Sequence, residues 1–440
     1  MVTIPQVARA LQTLLGPVAE RAARATGLVQ RASKMTGARL VQTLVFGWLA
    51  QPQARLSQLV QTAATLGVVL SPQALDERFS QASAECLREV VEAAVQVVLA
   101  ADPVAVPILR RFTAVVVQDC TTISLPAALA AVWPGCGGST PTSGAAALKL
   151  SVRLDLASGR LQGPYLEAGR TNDHTTTVAT LPLPPGALRL ADLGFFSLPE
   201  LAEQDAQGRY FLSRWQPGTA LCTSDGQRQE VRAVLDAATT AFVDQPVLLG
   251  ARQRLPIWLL AVRVPQDVAD QRRRRLRAAA RDKGRAVSAA RLALCAWTVL
   301  VTNVPATRLT VREALVLTRA RWQIELLFKL WKSQQQVDAW RSANPWRILT
   351  EVYAKMLALI VQHWIVLVGC WQVPDRSLVK AAQAIQGHAL HLAAVFDAYP
   401  RLCQALETVA RCLATGRLNT RKTAPTTVQL LLALEAEGLA

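Results

Sequence analysis

The sequence lacks the paired cysteines that mark zinc sites and disulfide frameworks. It has 8 Cys and 4 His, but the cysteines lie far apart and no two of them form a CxxC pair. His388 and His391 could share a helix face, although such a pair alone is usually incidental. A zinc ribbon, a zinc finger and a disulfide-stapled fold are therefore disfavoured, and the thiols are typical of a reducing cytoplasm.

The sequence also lacks a signal peptide and a long hydrophobic run. Residues 1–5 do not have the basic and then apolar layout of a signal peptide. One apolar stretch, residues 356–371, is interrupted by Gln362 and His363 and falls short of the ~20 residues that span a bilayer. We therefore expect a buried helix here and a soluble protein with no membrane partner.

Acidic residues are scarce relative to basic ones. The 31 Asp and Glu against 48 Lys and Arg give a net charge of +17 and a pI near 10.3. Such a field attracts polyanions, of which nucleic acid is the commonest; a basic protein that is merely soluble is the alternative. Because 51% of the residues are hydrophobic and only 18% are charged, the chain is not disordered and can bury a large core.

The spacing of apolar residues changes along the chain from helical to extended and back. Residues 1–108 have apolar positions at three- and four-residue spacing, which predicts helices. Residues 56–79 read as helix, turn and helix, with Ser71 as N-cap. This pair could contact a DNA groove, or it could be a plain helical hairpin, and the sequence does not distinguish the two. Residues from 341 to the end are again helical.

Between the helical regions, two predicted strands each lead into an aspartate. Residues 113–118 form a β-branched run typical of a strand buried on both faces, and Asp119 follows directly. Residues 148–156 alternate apolar and polar side chains and turn into a third strand. A short strand at 187–191 ends at Asp192. Strands in this order predict a mixed α/β sheet.

Residues 208–305 form a distinct insertion. Its predicted strands cover 209–214, 247–250, 257–264 and 297–302. Between the last two lies a basic run that begins with Arg272, Arg273, Arg274 and Arg275 and continues to Arg291. Charge runs are usually solvated helix faces, but on so basic a chain a contact with DNA phosphates is the better interpretation.

A predicted helix carries a third acid. Thr310 and Glu313 form a capping box that starts it, and we expect it to continue to Ser333. At about 100° per residue, its polar face combines one acid with three bases: Glu325 with Arg321, Lys329 and Lys332. An ordinary surface ladder of i, i+4 ion pairs explains this face by itself. It does not explain the two aspartates that follow buried strands.

Asp119, Asp192 and Glu325 together make a set of hard oxygen ligands suited to Mg²⁺. Two such ions, about 4 Å apart, can hold the attacking and leaving oxygens of a phosphoryl transfer. The neighbouring cations would then bind the flanking phosphates. The pattern favours metal-dependent phosphodiester chemistry.

Three segments in a fixed order carry a family resemblance. QDCTTISLP contains Asp119, ADLGFFSL contains Asp192, and RWQIELLFKLWK, preceded by VTNVP, has Arg321, Glu325 and Lys332 at the spacing Arg-x3-Glu-x6-Lys. Over residues 70–370 the chain resembles the DDE transposases of bacterial insertion sequences whose third carboxylate lies in a Tyr-x2-Arg-x3-Glu-x6-Lys signature. The position of the signature tyrosine holds a threonine here.

The resemblance implies an α/β fold with an RNase H-like mixed-sheet core, interrupted by a mainly β insertion domain and flanked by helical N- and C-terminal regions. The implied domains are a DNA-binding region (1–108), the first part of the catalytic core (109–207), the insertion (208–305), the final core helix (306–340) and a helical region for dimerisation (341–440).

The resemblance also implies a chemistry. Asp119, Asp192 and Glu325 would bind two Mg²⁺ ions, for which Mn²⁺ can substitute. The three acids would activate water to nick the transposon end and would then direct the freed 3′-OH at the other strand or at target DNA. Some members form a hairpin with a flipped base stacked on an insertion-domain tryptophan, near the place of Trp297. A tryptophan buried in the sheet is the alternative. Thr318, in the tyrosine's place, keeps a hydroxyl but loses the ring.

The remaining expectations concern DNA and assembly. The DNA-binding side chains would be Arg321, Lys329, Lys332, Trp297 and the run Arg272, Arg273, Arg274 and Arg275. The partners would be double-stranded DNA, as transposon ends and target, and a second copy of the chain; the location would be the bacterial cytoplasm, at the nucleoid. Two alternatives stay open: a non-catalytic DNA-binding descendant, and an RNase H-fold nuclease that cuts without joining.

Overall fold

A computed structural model describes residues 2–31, 33–137, 144–373, 375–418 and 425–438. The chain divides into two compact units. Unit 1 consists of Met1–Val106, Asp119–Val178 and Gln323–Ala424, and unit 2 consists of Pro107–Gln118, Ala179–Trp322 and Pro425–Ala440. Each unit is therefore assembled from segments that are far apart in sequence.

The helices, in chain order, are α1 (Ile4–Thr13), α2 (Ala19–Ala25), α3 (Gly37–Ala50), α4 (Leu56–Thr65), α5 (Pro72–Asp76), α6 (Gln81–Ala94), α7 (Pro107–Arg110), α8 (Thr177–Thr180), α9 (Leu198–Ala206), α10 (Val231–Asp236), α11 (Gln266–Arg281), α12 (Ala289–Ala293), α13 (Val311–Ala320), α14 (Trp322–Ser333), α15 (Pro345–Gly369), α16 (Leu378–Ala394), α17 (Tyr399–Ala414) and α18 (Thr427–Gly438).

The strands are β1 (Val115–Leu125), β2 (Ala146–Asp155), β3 (Leu161–Ala168), β4 (Leu188–Ala191), β5 (Tyr210–Arg214), β6 (Leu221–Cys222), β7 (Arg228–Gln229), β8 (Phe242–Leu249), β9 (Leu255–Arg263) and β10 (Trp297–Thr302). A mixed α/β architecture with helical terminal regions is thereby confirmed. The RNase H-like identity of the core stays a prediction.

Unit 1 is built around α15, which packs against α3, α6 and α17. Every residue of this helix from Ile348 to Leu367 is buried. Among the described residues it is the one helix long and apolar enough to cross a membrane, and 89% of its apolar window is buried within the protein. The burial confirms the prediction of a core helix for this stretch.

The N-terminal helices of unit 1 include the predicted helix–turn–helix, in a reduced form. Ser71 caps α5 by accepting a hydrogen bond from the Ala74 backbone N–H, as predicted, but α5 is only 5 residues long. Asp76 at its end forms an ion pair with Arg347 of α15. This short helix is therefore fastened to the core helix of its own unit.

Strand β2 is buried on both faces, although its alternating pattern suggests one solvated face. The polar side chains are covered by the segment that follows β3. Lys149 Nζ lies 2.7 Å from Asp173 Oδ1, and Arg153, which is 2% exposed, donates to the Val178 carbonyl. Because Asp173 neutralises Lys149 and the Val178 carbonyl accepts a hydrogen bond from Arg153, the strand can bury both side chains.

Unit 2 contains a sheet that changes direction partway across. The first part of β1 pairs in parallel with β4, and β4 pairs in parallel with β5. The order continues with β10, β9, β8, β6 and β7, and these pairings are antiparallel. The four insertion strands expected from the sequence are all present. Helices α10, α11 and α12 lie between them in the chain, and a separate, mainly β insertion domain stays a prediction.

Candidate active site

The first two acids follow paired positions of neighbouring parallel strands. In unit 2, the β1–β4 register runs from Val115↔Leu188 to Gln118↔Ala191. Asp119 and Asp192 are the next residue in each strand's sequence. The expected strand end at Asp119 is wrong, because β1 continues to Leu125 and only its pairing with β4 stops at Gln118.

The backbone beside Asp119 already orients its carboxylate. Asp119 Oδ1 accepts a hydrogen bond of 2.8 Å from the Cys120 N–H. Burial raises the pKa of the Cys120 thiol to about 12, and the nearby Asp173 adds to the shift. Sulfur is in addition a soft ligand, whereas a hard divalent cation prefers the carboxylate oxygens of Asp119.

Asp192 opens the turn between β4 and α9. It is the residue before the 3₁₀ turn Leu193–Phe195, yet its side chain makes no capping hydrogen bond there. The turn is closed instead by the backbone, since the Phe195 N–H donates to the Asp192 carbonyl at 2.9 Å. An aspartate at such a position commonly caps the helix that follows, whereas here a backbone hydrogen bond closes the turn.

Glu325 lies in the first turn of α14. The single helix expected between Thr310 and Ser333 is two helices, because α13 ends at Ala320 and α14 begins at Trp322. The capping box that starts α13 is confirmed, with Glu313 N–H donating to Thr310 Oγ1. The apolar side of α14 is buried as expected. It also includes Phe328, which packs edge-on against Trp331 with ring centroids 5.4 Å apart.

The bases of the signature differ in their surroundings. Lys329 is exposed and Arg321 is half-buried. Lys332 Nζ donates to the Thr122 carbonyl of β1 at 3.1 Å, which ties α14 to the part of β1 that follows Asp119 within unit 1. The Thr318 hydroxyl donates to the Ala314 carbonyl at 2.8 Å, so its proton is engaged in its own helix.

Among the described residues, no three His, Cys, Asp or Glu side chains are grouped to hold a metal ion. The donor chemistry of the three acids nevertheless fits a hard divalent cation, because all three supply carboxylate oxygens. The absence of a capping hydrogen bond from the Asp192 side chain is consistent with such a role.

The arginine run divides into inward and outward side chains. Arg272 donates to the Trp297 carbonyl at 3.0 Å and to Thr298 Oγ1 at 3.1 Å, and Arg273 donates to the Leu292 carbonyl and pairs with Asp270. Arg274 and Arg275 are exposed. Two of the four proposed DNA contacts are thus engaged within unit 2.

Trp297 and Trp322 have opposite environments. Trp297 is 7% exposed, belongs to the apolar core of unit 2, and has the Arg263 guanidinium 4.8 Å from its ring centroid. This placement is the sheet-buried alternative that the sequence left open. Trp322, one turn before Glu325, is 58% exposed.

Asn303, in the VTNVP segment, was not singled out from the sequence. Its side-chain amide accepts from the Phe211 N–H and donates to Asp205 and to the Arg209 carbonyl, each at 2.8 Å. It therefore joins the end of β10 to the α9–β5 turn. The Asn-Val-Pro turn signal after a strand was the available clue.

A basic chain with a mixed α/β sheet, and with acids after paired parallel strands, is an arrangement expected of a protein that processes nucleic acids. The family model described as the transposase DDE domain matches residues 110–361. The match covers more than half of the chain and includes all three acids. The chain belongs to the transposase DDE domain family.

Individual relatives agree with this assignment. The transposase for insertion sequence element IS231B of Bacillus thuringiensis subsp. berliner is 26% identical over 365 residues, which are 78% of this chain and 75% of the relative. The IS231F transposase of Bacillus thuringiensis subsp. israelensis is 27% identical over 78% of this chain and 76% of its own length. The IS1151 transposase of Clostridium perfringens is 22% identical over the same shares.

Proposed function

We propose that this protein catalyses DNA transposition of an insertion sequence by cleaving the ends of the element and joining them to target DNA. Asp119, Asp192 and Glu325 are the ligands of two Mg²⁺ ions, for which Mn²⁺ can substitute. The observation that carries the proposal is the β1–β4 register, since it ends at Gln118↔Ala191, one residue before each aspartate. Membership of the DDE family supports it.

Held by Asp119, Asp192 and Glu325, divalent ions would neutralise charge at the scissile phosphate and lower the pKa of a water nucleophile. The chain's own residues bind and orient. The Cys120 N–H holds Oδ1 of Asp119 by a hydrogen bond of 2.8 Å, which orients the carboxylate that would bind the cation. Glu325 comes from the start of α14, a helix that Lys332 fastens to β1.

Binding of DNA falls to the exposed cations of both units. Lys329 and the half-buried Arg321 lie on either side of Glu325 and contact phosphates next to the cleavage point. Lys332 adds a contact where its remaining N–H donors reach solvent. In unit 2, Arg274 and Arg275 contact the backbone further along the duplex.

We assign the stacking of a flipped base to the tryptophan whose ring is exposed to solvent. A base can stack only on a ring face that is open, and Trp297 is covered by the core of unit 2. The exposed Trp322, on the helix of Glu325, is the better candidate in this conformation, while Trp297 acts through packing. The active assembly is a homodimer on paired DNA ends in the bacterial cytoplasm, associated with the nucleoid.

The acids are tested by single substitutions. We expect Asp119→Asn, Asp192→Asn and Glu325→Gln each to lower end cleavage at least ~1,000-fold, because each removes a negative ligand of the reacting centre. Binding of end DNA should change less than ~3-fold. The substrate is a plasmid that carries the coding sequence with its bordering DNA, incubated with Mg²⁺ or Mn²⁺.

Asp236→Asn is the matched control, since Asp236 is an exposed aspartate of unit 2 that pairs with Arg232. It should cleave like the unmodified protein. If one of the three variants still nicks the plasmid, the residue that it replaces is not a ligand. The same assay separates the alternatives: binding without cleavage indicates a non-catalytic descendant, and cleavage without joined product indicates a nuclease.

A further inference from the structure

A buried ion pair encloses the turn that carries Asp192. Arg189, in the middle of β4, is 2% exposed and pairs with Glu200 in the first turn of α9. The chain between these two residues runs through Asp192 and the 3₁₀ turn. The ion pair therefore closes a loop of backbone, and Asp192 lies within that loop.

The position of Arg189 is an expensive place for a cation. It lies between Val116 of β1 and Phe211 of β5 in the register of the sheet, on a strand whose residues are all buried. Burial lowers the pKa of its guanidinium, and the charge of Glu200 opposes that shift. Replacing such a pair with well-packed apolar side chains is often neutral or stabilising. Stability alone therefore does not account for the pair.

The neighbouring apolar contacts hold α9 without defining the turn. Phe196 and Leu201 belong to the apolar core of unit 2, which anchors both the end of the turn and the helix. Apolar contacts are not directional, whereas a charged hydrogen bond fixes both distance and angle. Gln204, one turn further along α9, also donates to the carboxylate of Glu200 at 3.3 Å, which orients it.

We propose that the Arg189–Glu200 pair positions Asp192 by fixing the path of the β4–α9 turn. Arg189 and Glu200 are positioning residues and not catalytic ones, because the pair acts on Asp192 through the backbone. Alternation along a strand also places side chains three residues apart on opposite faces. The consequence for catalysis rests on the proposed function, in which Asp192 binds metal. The consequence for the turn itself does not.

The test replaces the pair with apolar side chains of similar length, as Arg189→Met with Glu200→Met. Thermal unfolding should occur within a few degrees of the unmodified protein or above it. Hydrogen exchange of the backbone amides of residues 193–198 should become about tenfold faster, because the loop is no longer closed. The Mg²⁺ concentration for half-maximal end cleavage should rise severalfold, and the maximal rate should fall about tenfold or more.

Two further variants make the test decisive. The exchanged pair, Arg189→Glu with Glu200→Arg, keeps the charges and should recover slow exchange and at least part of the metal response. Arg232→Gln with Asp236→Asn removes an exposed ion pair of the same unit and should change neither.

Unchanged exchange at residues 193–198 in the apolar variant overturns the positioning role, and so does an unchanged Mg²⁺ midpoint in an enzyme that cleaves. If the unmodified protein shows no metal-dependent cleavage, the proposed function fails, while the exchange measurement still decides the role of the pair.

Discussion

His363 is a titratable side chain placed where it cannot easily accept a proton. It lies in the buried helix α15, and its Nε2–H donates to the Gly159 carbonyl at 2.7 Å. Burial lowers its pKa from 6.5 to about 4, and the nearby Arg376 adds to the shift. The ring packs edge-on against Trp371, so a neutral imidazole is part of the packing around the β2–β3 turn.

The sign of the resulting pH dependence follows from proton uptake. Between pH 6.5 and about 4 the unfolded chain binds a proton at His363 and the folded protein does not. The free energy of unfolding should therefore fall as pH drops through this window, by up to about 3 kcal/mol from this group. The contribution of His363 to the free energy of unfolding is fully retained above pH 6.5. Urea unfolding at several pH values measures it.

His363→Gln keeps a donor for the Gly159 carbonyl and removes the titration. Its free energy of unfolding should depend less on pH over the same window than that of the unmodified protein. His391→Gln, at an exposed position of α16, is the control and should keep the original slope. Equal slopes for all three proteins would mean that His363 does not contribute.

Helix α11 shows how one basic run serves two purposes. At 100° per residue, Arg272 and Arg273 flank the side that carries the buried Ala269, while Arg274, Arg277 and Arg281 lie within about 60° of one another on the exposed side. The inward pair donates to backbone carbonyls of unit 2. The outward three form a row that can follow a phosphate backbone.

Substituting the outward row, as Arg274→Gln, Arg277→Gln and Arg281→Gln together, should weaken DNA binding without lowering the melting temperature. The slope of log K against log salt should become shallower by about 2 to 3, because each lost phosphate contact contributes about 0.9. Fluorescence anisotropy with labelled duplex at several salt concentrations measures this slope.

Arg272→Gln is the matched control from the inward side. It should lower stability by about 1–2 kcal/mol, because its loss leaves the Trp297 carbonyl and the Thr298 hydroxyl without this donor. Its salt slope should stay near the original value. If the inward and outward variants change the slope equally, the row is not a DNA contact.

The strands and helices were largely predictable because their apolar periods are local properties of the sequence. Within the sheet, two features were not. The extension of β1 past Asp119 depends on pairing with β2, a partner distant in sequence, although Thr121, Thr122 and Ile123 have high strand propensity. The burial of the polar face of β2 depends on residues 171–178, and no period-2 pattern reveals what covers it.

At the scale of the whole molecule, the proposed reaction joins two DNA ends, whereas each chain has one set of the three proposed ligands. We therefore expect two chains in the complex with end DNA. Light scattering should give the mass of two chains and two duplexes, and Glu325→Gln should assemble equally well because assembly precedes chemistry. A complex of one chain with one duplex contradicts the proposed dimer.

The three acids could be proposed from the sequence because each lies in a recognisable local segment, and their role as ligands stays a prediction. Their surroundings could not, since Lys332 meets Thr122, and Arg189 meets Glu200, only after folding. The overall charge predicted a polyanionic partner without indicating which arginines face solvent. Placement of Trp297 in the core of unit 2 depended likewise on strands from several parts of the insertion.

The late position of α15 in the chain has a consequence for biosynthesis. A ribosome synthesises residues 179–322, the larger part of unit 2, before it makes the helix around which unit 1 packs. A nascent chain interrupted before residue 345 would contain Asp119, Asp192 and Glu325 but would lack the central helix of unit 1. Copies of the gene that end before residue 345 should therefore yield insoluble or degraded product.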